Sequence, residues 1–180
     1  AKFPRTFIDL NRSHLELDPL LISGDFRYDK TARNMAGMGV IPRISGNGKE
    51  IYSEPIIVKD AIKRLESFYF PYHSFLYNLL LESKNRLGYA VLFDCHSMPS
   101  KLNLEISNSR YNNDPDIILG DLNGTSCSSF LVSEVKAIFE KYNFFVTKNQ
   151  PFSGGYITKK YGNPFNDIHV IQIEINKKLY

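Results

Sequence analysis

Apolar and polar positions along this chain form a succession of strand-like and helix-like stretches. Phe3-Pro4-Arg5-Thr6-Phe7-Ile8-Asp9-Leu10 resembles a strand. A polar stretch from Asn11 to Glu54, punctuated by Gly37, Gly39, Gly46 and Gly48, reads as a long functional loop region. From Pro55 to Arg86 apolar residues recur at helical spacing (Ile57, Ala61, Leu65, Phe68, then Phe75, Leu76, Leu79, Leu80), and Pro71 predicts either two helices or one kinked helix. Gly88 stops that pattern. Tyr89-Ala90-Val91-Leu92-Phe93 is then a continuous apolar run of the buried parallel kind, ending at Asp94 with His96 just past its carboxyl end. Ile117-Ile118-Leu119 predicts a short strand, Ser128 or Ser129 can cap a helix reaching Tyr142, and Phe144-Phe145-Val146-Thr147 returns to extended structure. Val170–Asn176 alternates polar and apolar residues from Ile171 onward and predicts a last strand.

Strands alternating with helices imply an α/β fold, a mainly parallel mixed sheet flanked by helices. In such sheets ligands sit at the carboxyl ends of strands, which would collect Asn11, Arg12, His96 and the surroundings of Glu174 on one edge. The 180 residues, 43% of them hydrophobic, suffice for one domain with a sizeable core. Strand-like sequence at both ends, with no leader before Phe3, suggests material missing from that domain on either side.

Charge and cysteine content narrow the partners. Lys and Arg number 22 against 19 Asp and Glu, and the resulting +3 is too mild to argue for nucleic acid or an anionic membrane. Cys95 and Cys127 make no disulfide framework and no zinc-finger spacing, which fits a reducing cytoplasm. No apolar run approaches the roughly 18 residues of a membrane span.

Several residues could do chemistry, each with a plainer alternative. His96 in Asp94-Cys95-His96-Ser97 is suitably held for a metal ligand, or is a hydrogen-bonded structural histidine. Glu174, flanked by Ile173 and Ile175, is either a general base or a strand-end carboxylate paired with a lysine or facing solvent; Gln172 shares its face. Arg5 and Arg12 bracket the first strand-like segment and would lie on opposite faces unless a bend at Asn11 brings them together to grip a carboxylate; otherwise they are surface cations. Gly154–Gly162 suits a close-approaching loop with hydroxyls and cations, or an exposed hairpin. His73, in Pro71-Tyr72-His73, reads as helix packing rather than a metal ligand, and His14 with Glu16 is a poor ligand pair.

Ile8-Asp9-Leu10-Asn11-Arg12, Pro71-Tyr72-His73, Asp94-Cys95-His96-Ser97, Gly120-Asp121 with Gly124-Thr125-Ser126-Cys127, Gly154-Gly155-Tyr156-Ile157-Thr158 with Tyr161-Gly162, and Gln172-Ile173-Glu174-Ile175-Asn176 occur in this order along nearly the whole chain. Together they resemble the N-formylglutamate amidohydrolase family. The resemblance implies a zinc hydrolase related in fold to zinc carboxypeptidases and acyl-amino-acid deacylases, of the phosphorylase/hydrolase-like kind, removing formate from N-formyl-L-glutamate in histidine breakdown. It makes His96 a zinc ligand, Glu174 the base that activates water, and Asn11 with Arg12 the clamp on the substrate's α-carboxylate. Arg5 would help hold the scissile carbonyl, with Tyr156 and Thr158 as substrate contacts. The family's Pro-His-x-Gly block and a later acidic residue, which supply the remaining Zn2+ ligands, have no counterpart here and are expected before Ala1; a terminal helix is expected beyond Tyr180. The alternatives are a peptidoglycan-type zinc amidase and a metal-free carboxylate-binding protein that has lost catalysis.

Overall fold

A computed structural model of the chain describes residues 3–102 and 114–180. It divides into two compact units, Ala1–Asn78 and Leu79–Tyr180.

In the first unit, the opening residues do not form the strand that their apolar content suggests. Pro4 has no N–H to offer a ladder, and Phe7 N donates back to Pro4 O at 3.0 Å in a turn. Asp9 makes the next turn: its Oδ1 accepts from Asn11 N at 2.9 Å, a side chain standing in for a strand partner. The turn brings Phe3 and Phe7 together, and both rings meet Phe68 edge-on with centroids 5.2 Å apart. Beyond Asn11 the chain carries only β1 (Ile22–Ser23) and the one-turn helix α1 (Ala32–Met35) before Glu54. It is anchored from within. Asp18 and Asn34 are fully buried and fully engaged, Asp18 by Arg43 Nε at 2.8 Å and Leu20 N at 2.8 Å. Asn34 Nδ2 donates to Leu17 O and Asp29 O at 2.9 and 2.7 Å. Pairing of this kind is what makes burial of a charge or amide tolerable.

β2 (Ile56–Ile57) pairs in parallel with β1 and runs into a continuous helical rod: α2 (Val58–Arg64), a π turn (Leu65–Tyr69) and α3 (Phe70–Leu87). The break predicted at Pro71 is absent. Pro71 is the second residue of α3, directly after a stretch wound one residue wider, in which Phe70 N reaches back to Leu65 O. Arg64, Tyr69 and His73 face the same way across this wider turn. They hold three carbonyls of the irregular opening segment: Arg64 Nη1 donates to Phe7 O at 3.0 Å, Tyr69 Oη to Arg12 O at 2.8 Å, and His73, as the Nε2-protonated tautomer, to Leu10 O at 3.1 Å. In an uninterrupted α-helix the five-residue step from Arg64 to Tyr69 would swing the second side chain about 140° away from the first. His73 is thus a packing histidine, as its sequence context suggests. Gly88 ends the rod with φ +83°, its N–H donating to Lys84 O at 2.8 Å.

The second unit is built on a four-stranded sheet of β3 (Ala90–Met98), β4 (Ile117–Gly120), β5 (Val146–Lys148) and β6 (Ile168–Asn176), in the order β3-β6-β4-β5. β3 and β6 are parallel, β4 and β5 are parallel, and β4 is antiparallel to β6. With the β1–β2 pair, parallel pairing dominates among the described strands, and the chain is of the α/β class. α4 (Ser129–Lys141) is capped by Ser128, whose hydroxyl accepts from Leu131 N. Its Val132 and Val135 pack on Ile117, Leu119, Val146, Ile171 and Ile173, side chains worth about 1.5–3 kcal/mol each when fully buried. Those of them on β4 and β6 occupy odd positions. Strand alternation therefore sends the even positions, Ile118, Gly120, Gln172 and Glu174, to the opposite face.

Candidate active site

That opposite face carries a polar cluster in register. β3 continues past Phe93 to Met98, so His96 lies inside the strand rather than beyond its end. Asp94 pairs with Gln172 and His96 with Glu174 across the parallel β3–β6 ladder. Facing partners on neighbouring strands share a face, and the four side chains form a two-by-two group. Along β3, His96 Nε2 lies 2.9 Å from Asp94 Oδ1, within reach for a ring N–H to donate to the carboxylate. Along β6, Gln172 Nε2 donates to Glu174 Oε1 at 2.8 Å, with Gln172 only 5% and Glu174 8% exposed. The assignment of the amide follows from the carboxylate, which accepts from N–H and would repel the amide oxygen.

The arginines and Asn11 gather in the first unit around a residue that motif reading gave no role. Asp9 Oδ2 takes Arg5 Nη2 at 2.7 Å and lies 3.9 Å from Arg12 Nε, while Oδ1 holds Asn11 N. The bend that brings Arg5 and Arg12 together is this turn. Arg12 also donates from Nε to Met38 O at 3.2 Å and from Nη1 to Asn11 O at 2.8 Å. Burial lowers the Arg12 guanidinium below its ordinary pKa, opposed by the Asp9 charge and reinforced by Arg33 and Arg5. Arg5 is the more exposed of the two.

Tyr156 and Thr158 lie on a short helix, α5 (Tyr156–Tyr161), where a loop or hairpin was expected. Thr158 is fully buried, and its hydroxyl accepts from Gly155 N at 3.2 Å, closing the first turn. Close approach explains the flanking glycines. A Cβ on Gly162 would stand 2.4 Å from Ser126 Cβ, and one on Gly120 would stand 2.7 Å from the Ser153 carbonyl carbon. The Gly120–Cys127 block is scaffold: Asp121 Oδ1 accepts from Gly124 N at 2.9 Å and Asn149 Nδ2 at 2.7 Å, and Asn149 Oδ1 accepts from Asp121 N at 3.0 Å. His14 meets Tyr69 at a tilt and Phe70 edge-on.

A catalytic zinc ordinarily takes three protein ligands and leaves one position open. Among the described residues no three His, Cys, Asp or Glu side chains cluster as such a set. His96, with Asp94 beside it, does not make a zinc site from the described residues alone.

Six short blocks in one order, and a sheet that brings two of them into register, can be set against known proteins. A family model described as N-formylglutamate amidohydrolase matches residues 1–180. The chain belongs to the N-formylglutamate amidohydrolase family. Two curated relatives, both named N-formylglutamate deformylase, come from Pseudomonas putida (30% identical) and Pseudomonas aeruginosa (29% identical); each match covers all of this chain and 62% of the relative. The chain thus spans less than two thirds of the length of the curated relatives it matches. Among solved structures, an N-formylglutamate amidohydrolase from Ralstonia eutropha superposes with a TM-score of 0.91 at 28% identity, over 100% of this chain and 65% of that one. A protein from Agrobacterium tumefaciens, 19% identical with a TM-score of 0.63 over 98% of this chain and 59% of that one, shares the fold. Within this family member, the residues that motif reading passed over are Asp9, Asp94 and Tyr69. For Asp94 a signal was available, since positions two apart on a strand share a face; for Tyr69 there was none without the π turn.

Proposed function

We infer that the protein of which this chain is part hydrolyses the amide bond of a small anionic N-acyl amino acid, with N-formyl-L-glutamate giving formate and L-glutamate. One observation carries the reading: a buried carboxylate, Glu174, oriented by Gln172 and in register with His96, on a chain that belongs to this family.

In this mechanism Glu174 takes the proton from the attacking water and delivers it to the departing nitrogen, because an amide anion is a poor leaving group. Asn11 and Arg12 grip the substrate's α-carboxylate, the guanidinium serving as a planar two-pronged donor. Arg5 meets the scissile carbonyl oxygen and shares the charge that develops on it. Tyr156 contacts the substrate from the first turn of α5, which Thr158 closes and supports. Zinc belongs to the proposal through His96 as one ligand, with the others outside the described residues. Metal analysis of the full-length protein and of His96→Ala tests that part: stoichiometric zinc lost in the variant supports it, and unchanged zinc removes His96 as a ligand.

The reading as a whole is tested by formate release from N-formyl-L-glutamate by the full-length protein. Activity on cell-wall fragments instead would replace the substrate assignment, and binding of the substrate without turnover would replace the reaction.

A further inference from the structure

Gln172 carries a feature that the proposed chemistry does not use. Its Oε1 is inaccessible to solvent and has no hydrogen-bond donor among the described residues. Buried polar atoms in native proteins are nearly always paired, and an orphan acceptor destabilises the fold by an amount an apolar side chain of the same shape would not. The orphan is a consequence of the amide's other end. Glu174 requires a donor, so Nε2 must face it at 2.8 Å, and Oε1 is then directed where no donor waits. Turning the amide over would satisfy neither group.

We propose that Gln172 is a positioning residue for Glu174: its amide fixes the carboxylate's orientation towards the attacking water, and the buried orphan oxygen is tolerated for that reason. The inference deepens the hydrolase reading and rests on it. A neutral donor suits the task, since it orients the carboxylate without adding a countercharge that would compete for the proton Glu174 is to receive. Across the ladders the register partners of Glu174 are His96 and Ile118, and those of Gln172 are Asp94 and Gly120.

The test uses the full-length protein and Gln172→Met, which keeps the side chain's length and removes both polar atoms. Relative to the parent protein, the expected result is kcat on N-formyl-L-glutamate lowered about tenfold to a hundredfold with KM little changed, and an unfolding temperature lowered no further than loss of one hydrogen bond to a buried carboxylate lowers it. In a Glu174→Gln background the same substitution should cost nothing further, because a residue that acts through Glu174 has nothing left to act on. An unchanged kcat in Gln172→Met overturns the proposal. An equal loss of kcat in both backgrounds also overturns it. Absence of formate release by the parent protein overturns the hydrolase reading itself, and the proposal with it.

Discussion

The turn at Asp9 and the sheet face at Glu174 bury a carboxylate each, by opposite means. Asp9 sits on irregular chain and is held by a backbone N–H and two guanidinium groups, so its charge is matched by charge. Glu174 sits on a regular strand and is held by a neutral amide whose own oxygen goes unpaired. A carboxylate locked between arginines is a strut that aligns the cations around it. One oriented by an amide keeps its capacity to take a proton. Under the proposed mechanism the difference suits the two acids to different work, Asp9 to shaping the arginine clamp and Glu174 to proton transfer.

Substitutions can break that contrast. Glu174→Gln should lower kcat by about two to four orders of magnitude while the circular dichroism spectrum is unchanged, the range expected for loss of a general base; comparable activity would reduce Glu174 to a second strut. Asp9→Asn should lower unfolding free energy by about 2 kcal/mol, as for loss of hydrogen bonds to a charged group, and raise KM for N-formyl-L-glutamate more than it lowers kcat. A fall in kcat alone would place Asp9 with the proton-transfer machinery. Tyr69→Phe removes the hydroxyl that holds Arg12 O and should cost about 1 kcal/mol in denaturant unfolding, with a smaller rise in KM than Asp9→Asn. Ser128→Ala removes the α4 cap and should cost about 1 kcal/mol with kcat and KM unaltered.

A further effect concerns pH. Burial, helped by the Asp121 charge, pushes the Cys127 thiol up to about 11 from 9.0. Its raised folded value makes the contribution to stability complete below 9.0, with progressive loss as pH rises towards about 11. Unfolding measured across that window should show the loss, absent in Cys127→Ala. At neutral pH a thiol reagent should label exposed Cys95 in the native protein and Cys127 only after unfolding.

Legibility in the sequence followed regularity. β6 and the α4 cap were readable because alternation and a serine before an apolar helix are local signals. The place of Glu174 within that strand was readable for the same reason, as a charge breaking an apolar run. The opening segment was misread as a strand because its apolar residues serve a turn and an aromatic cluster, and only tertiary partners such as Val40 O and Phe68 distinguish the two. His96 was placed beyond its strand because polar residues after Phe93 looked like an ending. They are the inner face of a longer β3, and the polar partners on β6 that make them so are nearly eighty residues away in sequence. The kink assigned to Pro71 moved upstream, since a proline's missing N–H can be absorbed by a change of winding before it.

The π turn makes residue count, and not only residue identity, part of how the segment carrying Arg5 and Arg12 is held. Were Leu65–Tyr69 wound as ordinary α-helix with no residue removed, the step from Arg64 to Tyr69 would be about 140°. Arg64 would then address a different side from Tyr69 and His73, and the row of carbonyls from Phe7 to Arg12 would lose one of its three tethers. Deleting one residue together with the wide turn shortens the step to four and leaves the two side chains about 40° apart, so the extra residue and the wider winding compensate each other.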